Sequence, residues 1–240
     1  MLIRRMQKDK NQKMKQLQFF ILGTVLVLWM PPSFAQNINW KSLEPAQKHV
    51  INLNVGFDNA TVIGVGYGYH LDTKMPLVFN IEYSMPFGNN TVDDIKTKIG
   101  GQLNVIHIGN FFTTVKAYGV IRRYENDLTR MINFGSEFSA TAGIYKQKWF
   151  VAGEFGFDKA ITTNLKQSEL MKEYNPEVQS GWYIPNGGNF IYGLQAGYSF
   201  NRNDIYTKFG KTRTQDLETT SIIPWYFQLG WNMKLMRSNH

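Results

Sequence analysis

Apolar residues recur at every second position in ten separate stretches of the chain. Ile51, Leu53, Val55 and Phe57 alternate with Asn52, Asn54 and Gly56, and Trp225, Phe227, Leu229, Trp231, Met233 and Leu235 alternate with Tyr226, Gln228, Gly230, Asn232 and Lys234. The same pattern runs through 63–69, 77–85, 98–105, 115–122, 132–144, 149–158, 192–199 and 205–210. A period of two is the mark of a β-strand with two unlike faces. Here one face is apolar and aromatic, and the other carries Gly, Ser, Asn, Gln or charge.

Two architectures share that alternation. A soluble sandwich or ligand-binding barrel turns its polar face to water, whereas a transmembrane barrel turns it to the lumen. Three features favour the second. The polar face is rich in glycine and other small residues, which suits a crowded interior. Aromatics recur near strand ends, at Tyr69, Tyr83, Phe111, Trp149, Phe157, Phe190, Phe200 and Trp225, where interfacial girdles lie. Most stretches approach the ~9–11 residues with which a tilted strand crosses a bilayer. The connections alternate as well. Those near 71–74, 109–110, 147 and 201–203 are short, while those at 88–94, 125–130, about 161–188 and 214–220 are longer; 58–60 is the exception. The predicted fold is therefore all-β, a closed antiparallel up-and-down transmembrane barrel of ten strands, with eight or twelve as the alternatives.

Residues 1–35 follow a different rule. Six basic residues (Arg4, Arg5, Lys8, Lys10, Lys13, Lys15) precede an apolar run from Phe19 to Met30, then Ser33-Phe34-Ala35. This reads as a secretory signal peptide cut after Ala35. The apolar run is too short for a spanning helix, and Met14 is an alternative start. Residues 36–47 then form a periplasmic lead-in, and 48–240 the barrel. The cut alters the charge. The whole chain has 26 basic and 18 acidic residues, a net +8, but the mature part has 20 and 17. Support for a nucleic-acid partner goes with the leader. Cysteine is absent, which excludes disulfides, thiolate metal sites and an N-terminal lipid-modified cysteine.

The leader, the ten alternating stretches and the last strand together resemble a bacterial outer-membrane β-barrel protein, over about residues 48–236. In that family the last strand carries an insertion signal, which Gln228, Gly230, Met233 and Leu235 match in spacing, with Met and Leu where aromatics are usual. The style of the loops resembles that of Bacteroidota barrels. The resemblance implies an outer-membrane location, lipid and lipopolysaccharide as surroundings, the barrel-assembly machinery as a partner, and a monomer.

Alternation places Glu82, Lys98, Lys116, Arg122, Glu137, Glu154, Asp158 and Lys208 inside the barrel, because a Lys or Arg on the lipid face costs ~2–4 kcal/mol at mid-depth. Four acids and four bases suggest a self-neutralising network filling a narrow lumen; a path for small polar solutes is the alternative. Glu137 and Glu154 lie on consecutive strands, but a paired-carboxylate site lacks a histidine nearby. The Val65-Gly66-Tyr67-Gly68 run lacks the helices and fourfold symmetry of a potassium filter, and its glycines are expected to make room for bulky neighbours. His49, His70, His107 and His240 have no metal-ligand spacing, and His49, His70 and His107 fall at strand ends opposite the long loops. No metal, cofactor or catalytic residue is expected. In the longest loop, 165–174 is a candidate helix, and Trp182 and Tyr183 form an aromatic patch, either packed over the barrel mouth or presented for recognition. The expected role is structural, adhesive or surface-binding. A channel, or an enzyme acting on lipid or peptide at the outer rim, stands behind it.

Overall fold

A computed structural model describes residues 36–58, 60–86, 94–216 and 224–236. The predicted leader, residues 87–93 and 217–223, and the tail after Met236, with His240, lie outside the described residues. Eleven strands and one short helix follow in order: β1 (Gln47–Asp58), β2 (Ala60–Leu71), β3 (Leu77–Pro86), β4 (Asp94–Ile108), β5 (Phe111–Glu125), β6 (Thr129–Tyr145), β7 (Trp149–Gln167), α1 (Glu169–Tyr174), β8 (Gly181–Tyr183), β9 (Gly188–Phe200), β10 (Asn203–Thr214) and β11 (Trp225–Met236).

Ten of the strands form one closed antiparallel barrel. Each pairs with its neighbour in sequence, β9 pairs directly with β7, and β1 closes on β11 with Leu53 opposite Trp231 and Phe57 opposite Phe227. Closure leaves no barrel edge unpaired. β8 is a three-residue strand attached to the outer part of β7. All ten barrel strands fall where the alternation predicts them.

The apolar face points outward all round. Leu53, Val65, Phe79, Ile99 and Val115 on the first five strands are exposed, as are Phe138, Phe155, Leu194, Phe209 and Leu229 on the other five. The buried side chains are largely polar, among them Asn52, Asn80, Gln102, Gln195, Gln228 and Asn232. This inverts the arrangement of a water-soluble core.

The two ends differ. At the end where β1 begins and β11 finishes, hereafter the terminal end, β4–β5, β6–β7 and β9–β10 are joined by tight turns, with Gly109 and Asn201 at positive φ. At the opposite end β4 to β7 run on for 15, 15, 17 and 19 residues, so they stand above the rim as a wall. The structure here departs from the expected loops. The connection after β5 is only 126–128, where Asn126 Oδ1 accepts from Leu128 N and Thr129 N. The strand expected to stop near 158 continues to Gln167, so the long connection starts at Ser168 rather than near 161. A bulge at Ile161 is the cause: Gly135 pairs with Ala160 but Phe134 with Thr162. The extra residue reverses the inward–outward parity of everything beyond it, which is why Ala160 and Leu165 are both buried.

Candidate functional site

The lumen is the only place where the chain gathers charge away from water among the described residues. Its side chains arrive by parity, on every second residue of each strand. All eight predicted lumen charges point inward, and none is more than 7% exposed. They form discrete groups. Lys98 Nζ lies 3.0 Å from Glu137 Oε2, and Glu82 faces Lys98 in the β3–β4 register. Glu154 is shared by two cations, Lys208 at 2.6 Å and Lys116 at 3.6 Å. Nearer the wall, Arg122 Nη2 donates to both oxygens of Asp158 at 2.6 Å, and Nη1 donates to Asn133 Oδ1 at 3.1 Å. Glu137 and Glu154 are each neutralised by their own lysines and make no carboxylate dyad.

Three further lumen charges escaped the sequence reading. Lys234 donates to Asp204 Oδ1 at 2.8 Å, and both are fully buried; Lys96 is buried two residues before Lys98. Lys234 stood on the polar face of the last stretch, so its parity was readable. Asp204 and Lys96 lay just outside the stretches as bounded.

Between the ion pairs and the terminal end lies a second filling. Ile38 and Trp40, which precede the barrel strands, pack with Val78, Phe112, Tyr145, Phe150, Ala152 and Tyr206 in one buried cluster. Residues 36–42 therefore lie within the lumen, where the sequence suggested a separate lead-in. Gln36, Asn37, Ile38, Asn39, Trp40 and Ser42 are all buried, Lys41 alone being exposed. Their polar groups bond to strands around the barrel. Gln36 N donates to Glu82 Oε1 at 2.7 Å, and Asn80 Nδ2 donates to Gln36 Oε1. Lys116 Nζ donates to Asn37 Oδ1 at 3.2 Å, and Asn232 Nδ2 to Asn37 O. Asn39 Nδ2 donates to Ser199 Oγ at 2.8 Å, and Lys234 Nζ to Ser42 Oγ at 2.6 Å. The chain thus runs from mid-lumen at Gln36 to the terminal end at Ser42.

The glycines on the inward face make this filling possible. A Cβ on Gly230 would lie 2.2 Å from the ring of Tyr206, and one on Gly68 2.9 Å from Gln36 Oε1. Glycines 64, 66 and 68 face Asn54, Glu82 and Gln36 respectively, in keeping with the expected room for bulky neighbours.

At the opposite end, Ser168 caps α1, its hydroxyl accepting from Met171 N at 3.2 Å, and Met171 anchors the helix. The helix covers Glu169–Tyr174, shorter than the expected 165–174. Trp182 sits opposite Asn164 in the β7–β8 register, with its ring 6.1 Å from that of the outward-facing Phe134. Trp182, Tyr183 and Ile184 are exposed, at 63%, 44% and 81%. Trp182 therefore lies on the outside of the wall and not over the mouth, while Tyr183, opposite Thr163, takes the other face of the same strand. Of the insertion-signal residues, Gln228 and Gly230 point inward and Met233 and Leu235 are half-buried on the outward parity of β11.

The three histidines among the described residues, His49, His70 and His107, lie at the terminal end. His49 Nδ1 is 2.7 Å from Tyr67 Oη, and His107 stacks on Phe112 at 4.1 Å. His70, Asp72 and His107 line a cavity of about 260 Å³ beside Trp40. Among the described residues no three His, Cys, Asp or Glu side chains are grouped to hold a metal ion.

No protein-family model matches the chain, and no curated protein does. Solved structures similar to it include a KdgM porin in complex with disordered oligogalacturonate (TM-score 0.40, 7% identity, covering 78% of this chain and 99% of that one). KdgM porin on its own gives a TM-score of 0.39 with the same identity and coverage. The beta domain of the Bordetella autotransporter Brka gives 0.37 at 12% identity, covering 78% of this chain and 98% of that one.

Proposed function

We propose that the protein is an integral outer-membrane barrel with a sealed lumen, and that it works through its projecting wall in a structural, adhesive or surface-binding role rather than as a catalyst. The observation that carries this reading is the inversion of polarity around the whole barrel. Every barrel strand exposes large apolar side chains, while the alternate residues of all but β2, which turns glycines and His70 inward, bury amides or charged groups. Soluble monomers rarely expose apolar patches beyond a few hundred Å², whereas a bilayer requires this arrangement. The leader read from the sequence supplies the export route. In this reading the terminal end lies in the periplasm, on the side of the short turns, and the wall of β4 to β7 lies outside the cell.

The sealed lumen favours this role over solute passage. A conduit needs water along its axis, and the middle layers are occupied by paired side chains and by residues 36–42. The wall offers Trp182 and Tyr183 on a short strand and Ile184 just after it, a mounting that holds loop residues in place.

Fractionation and topology labelling test the reading. The protein is expected in the outer-membrane fraction. An Ile184→Cys variant should react with an impermeant maleimide on intact cells, and a Gln147→Cys variant, at the β6–β7 turn, only after the outer membrane is breached. Release with the periplasmic contents without detergent, or labelling in the reverse order, would refute it.

A further inference from the structure

The deepest residue of the luminal segment is Gln36, the first after the predicted cleavage site. Its backbone nitrogen is 2.7 Å from Glu82 Oε1, and the residue is 1% exposed. We propose that the barrel contains a built-in binding site for its own mature amino terminus: the α-ammonium of Gln36, formed by cleavage after Ala35, pairs with Glu82 and holds residues 36–42 in the lumen as a plug. This rests on the outer-membrane reading and on the leader, and deepens both.

The chemistry is ordinary hydrolysis by a signal peptidase. Water adds across the Ala35–Gln36 amide; the acyl carbon takes the hydroxyl and becomes a carboxylate, and the nitrogen becomes an ammonium. The donor facing Glu82 changes from a neutral N–H to a cation with three N–H groups, and a charge-assisted hydrogen bond is about twice as strong as a neutral one. The surroundings suit a cation. Glu82, which accepts from Gln36 N, shares Lys98 with Glu137, so the nitrogen enters beside a carboxylate. The Gln36 side chain is held by Asn80, with Asn232 3.5 Å from its amide nitrogen. That keeps the side-chain amide from closing onto the new amine as a pyroglutamate.

The rest of the segment supports the same geometry. Asn37, Asn39 and Ser42 are bonded to three barrel strands, β5, β9 and β11, and Ile38 and Trp40 fill the apolar layer. A chain still carrying the leader has no free amine at this point, so cleavage completes the seal.

The chain has no native cysteine, which makes single-cysteine probes clean. In protein purified from outer membranes, mass spectrometry should find an uncyclised Gln36 terminus. Its amine should react with an amine reagent only after heat denaturation. Ile38→Cys should be labelled by maleimide at least ten-fold more slowly than Lys41→Cys. Adding Glu82→Gln should raise both the Ile38→Cys and the amine rates by roughly ten-fold, the shift expected on losing a charge-assisted hydrogen bond. If Glu82→Gln does not fold, wild-type Glu82 can be kept and one residue added instead. Protein refolded with Met ahead of Gln36 displaces the ammonium and should show the same rise at Ile38→Cys. Heat-modifiable migration must persist in every variant read. A pyroglutamate, a terminus elsewhere, or an Ile38→Cys rate equal to that of Lys41→Cys in a heat-modifiable barrel overturns the proposal. Loss of the heat-modifiable barrel in the wild type overturns the outer-membrane reading instead.

Discussion

Single residues in the lumen do two jobs, neutralising one another and leaving room. Glu154 is the clearest case of the first, because Lys116 and Lys208 both depend on it. Removing one partner of a buried pair strands the others, at about 3–5 kcal/mol. Glu154→Gln should lower the unfolding free energy in lipid vesicles by about that amount, and adding Lys208→Met should recover part of it. Equal stabilities of Glu154→Gln and wild type would show that the network contributes nothing. Gly230 illustrates the second job. Its missing Cβ admits the Tyr206 ring, so Gly230→Ala should cost about 1–3 kcal/mol of overpacking strain, and Gly230→Ala with Tyr206→Phe should not recover it, since the clash includes ring carbons. Inward direction was legible in the sequence for all eight charges, because parity alone decides it. Pairing was not. Which lysine meets Glu137 depends on strand tilt and distance across the lumen, neither of which leaves a mark in a single strand's pattern.

At the scale of elements, the strands were legible and their upper limits were not. Period two identifies a strand only while its phase is kept, and the bulge at Ile161 reverses that phase in mid-strand. Residues 159–167 therefore look like loop although β7 runs through them. The bulge is expected to serve the wall by turning Leu165 inward. Deleting Ile161 should exchange the faces of 162–167, exposing Leu165 and burying Lys166, and so loosen the wall while the lower barrel stays closed. Limited proteolysis would then cut between 162 and 180 well before the wild type, with heat-modifiability unchanged. Deleting 169–186 should likewise leave the ten barrel strands intact, since α1 and β8 contribute no barrel ladder. The luminal segment was illegible for a different reason. Residues 36–42 alternate only over Asn37 to Lys41, too briefly to read as a barrel strand, and their order comes from the strands around them.

For the whole molecule, the decisive quantity is whether water runs through the barrel. A ten-stranded barrel is narrow, and this one holds five buried carboxylates, six buried cations and a seven-residue segment among its described residues. Buried ions without full compensation are costly, so the filling stays seated only if its groups remain paired. If the lumen is sealed as proposed, fluctuation of one side chain opens no continuous path, because the Arg122–Asp158 pair, the Glu154 cluster and residues 36–42 would have to move together. In planar bilayers the purified protein should insert without steady conductance across a range of voltages. Deleting 36–42 removes the lower part of the filling and leaves the two ion-pair layers, so that variant should show only brief, small openings. A variant that also carries Arg122→Ala and Asp158→Ala should conduct in longer steps. Steady conductance from the wild type, altered by Glu154→Gln, would mean that the ion pairs line a path instead of closing one, and would transfer the function from the wall to the lumen.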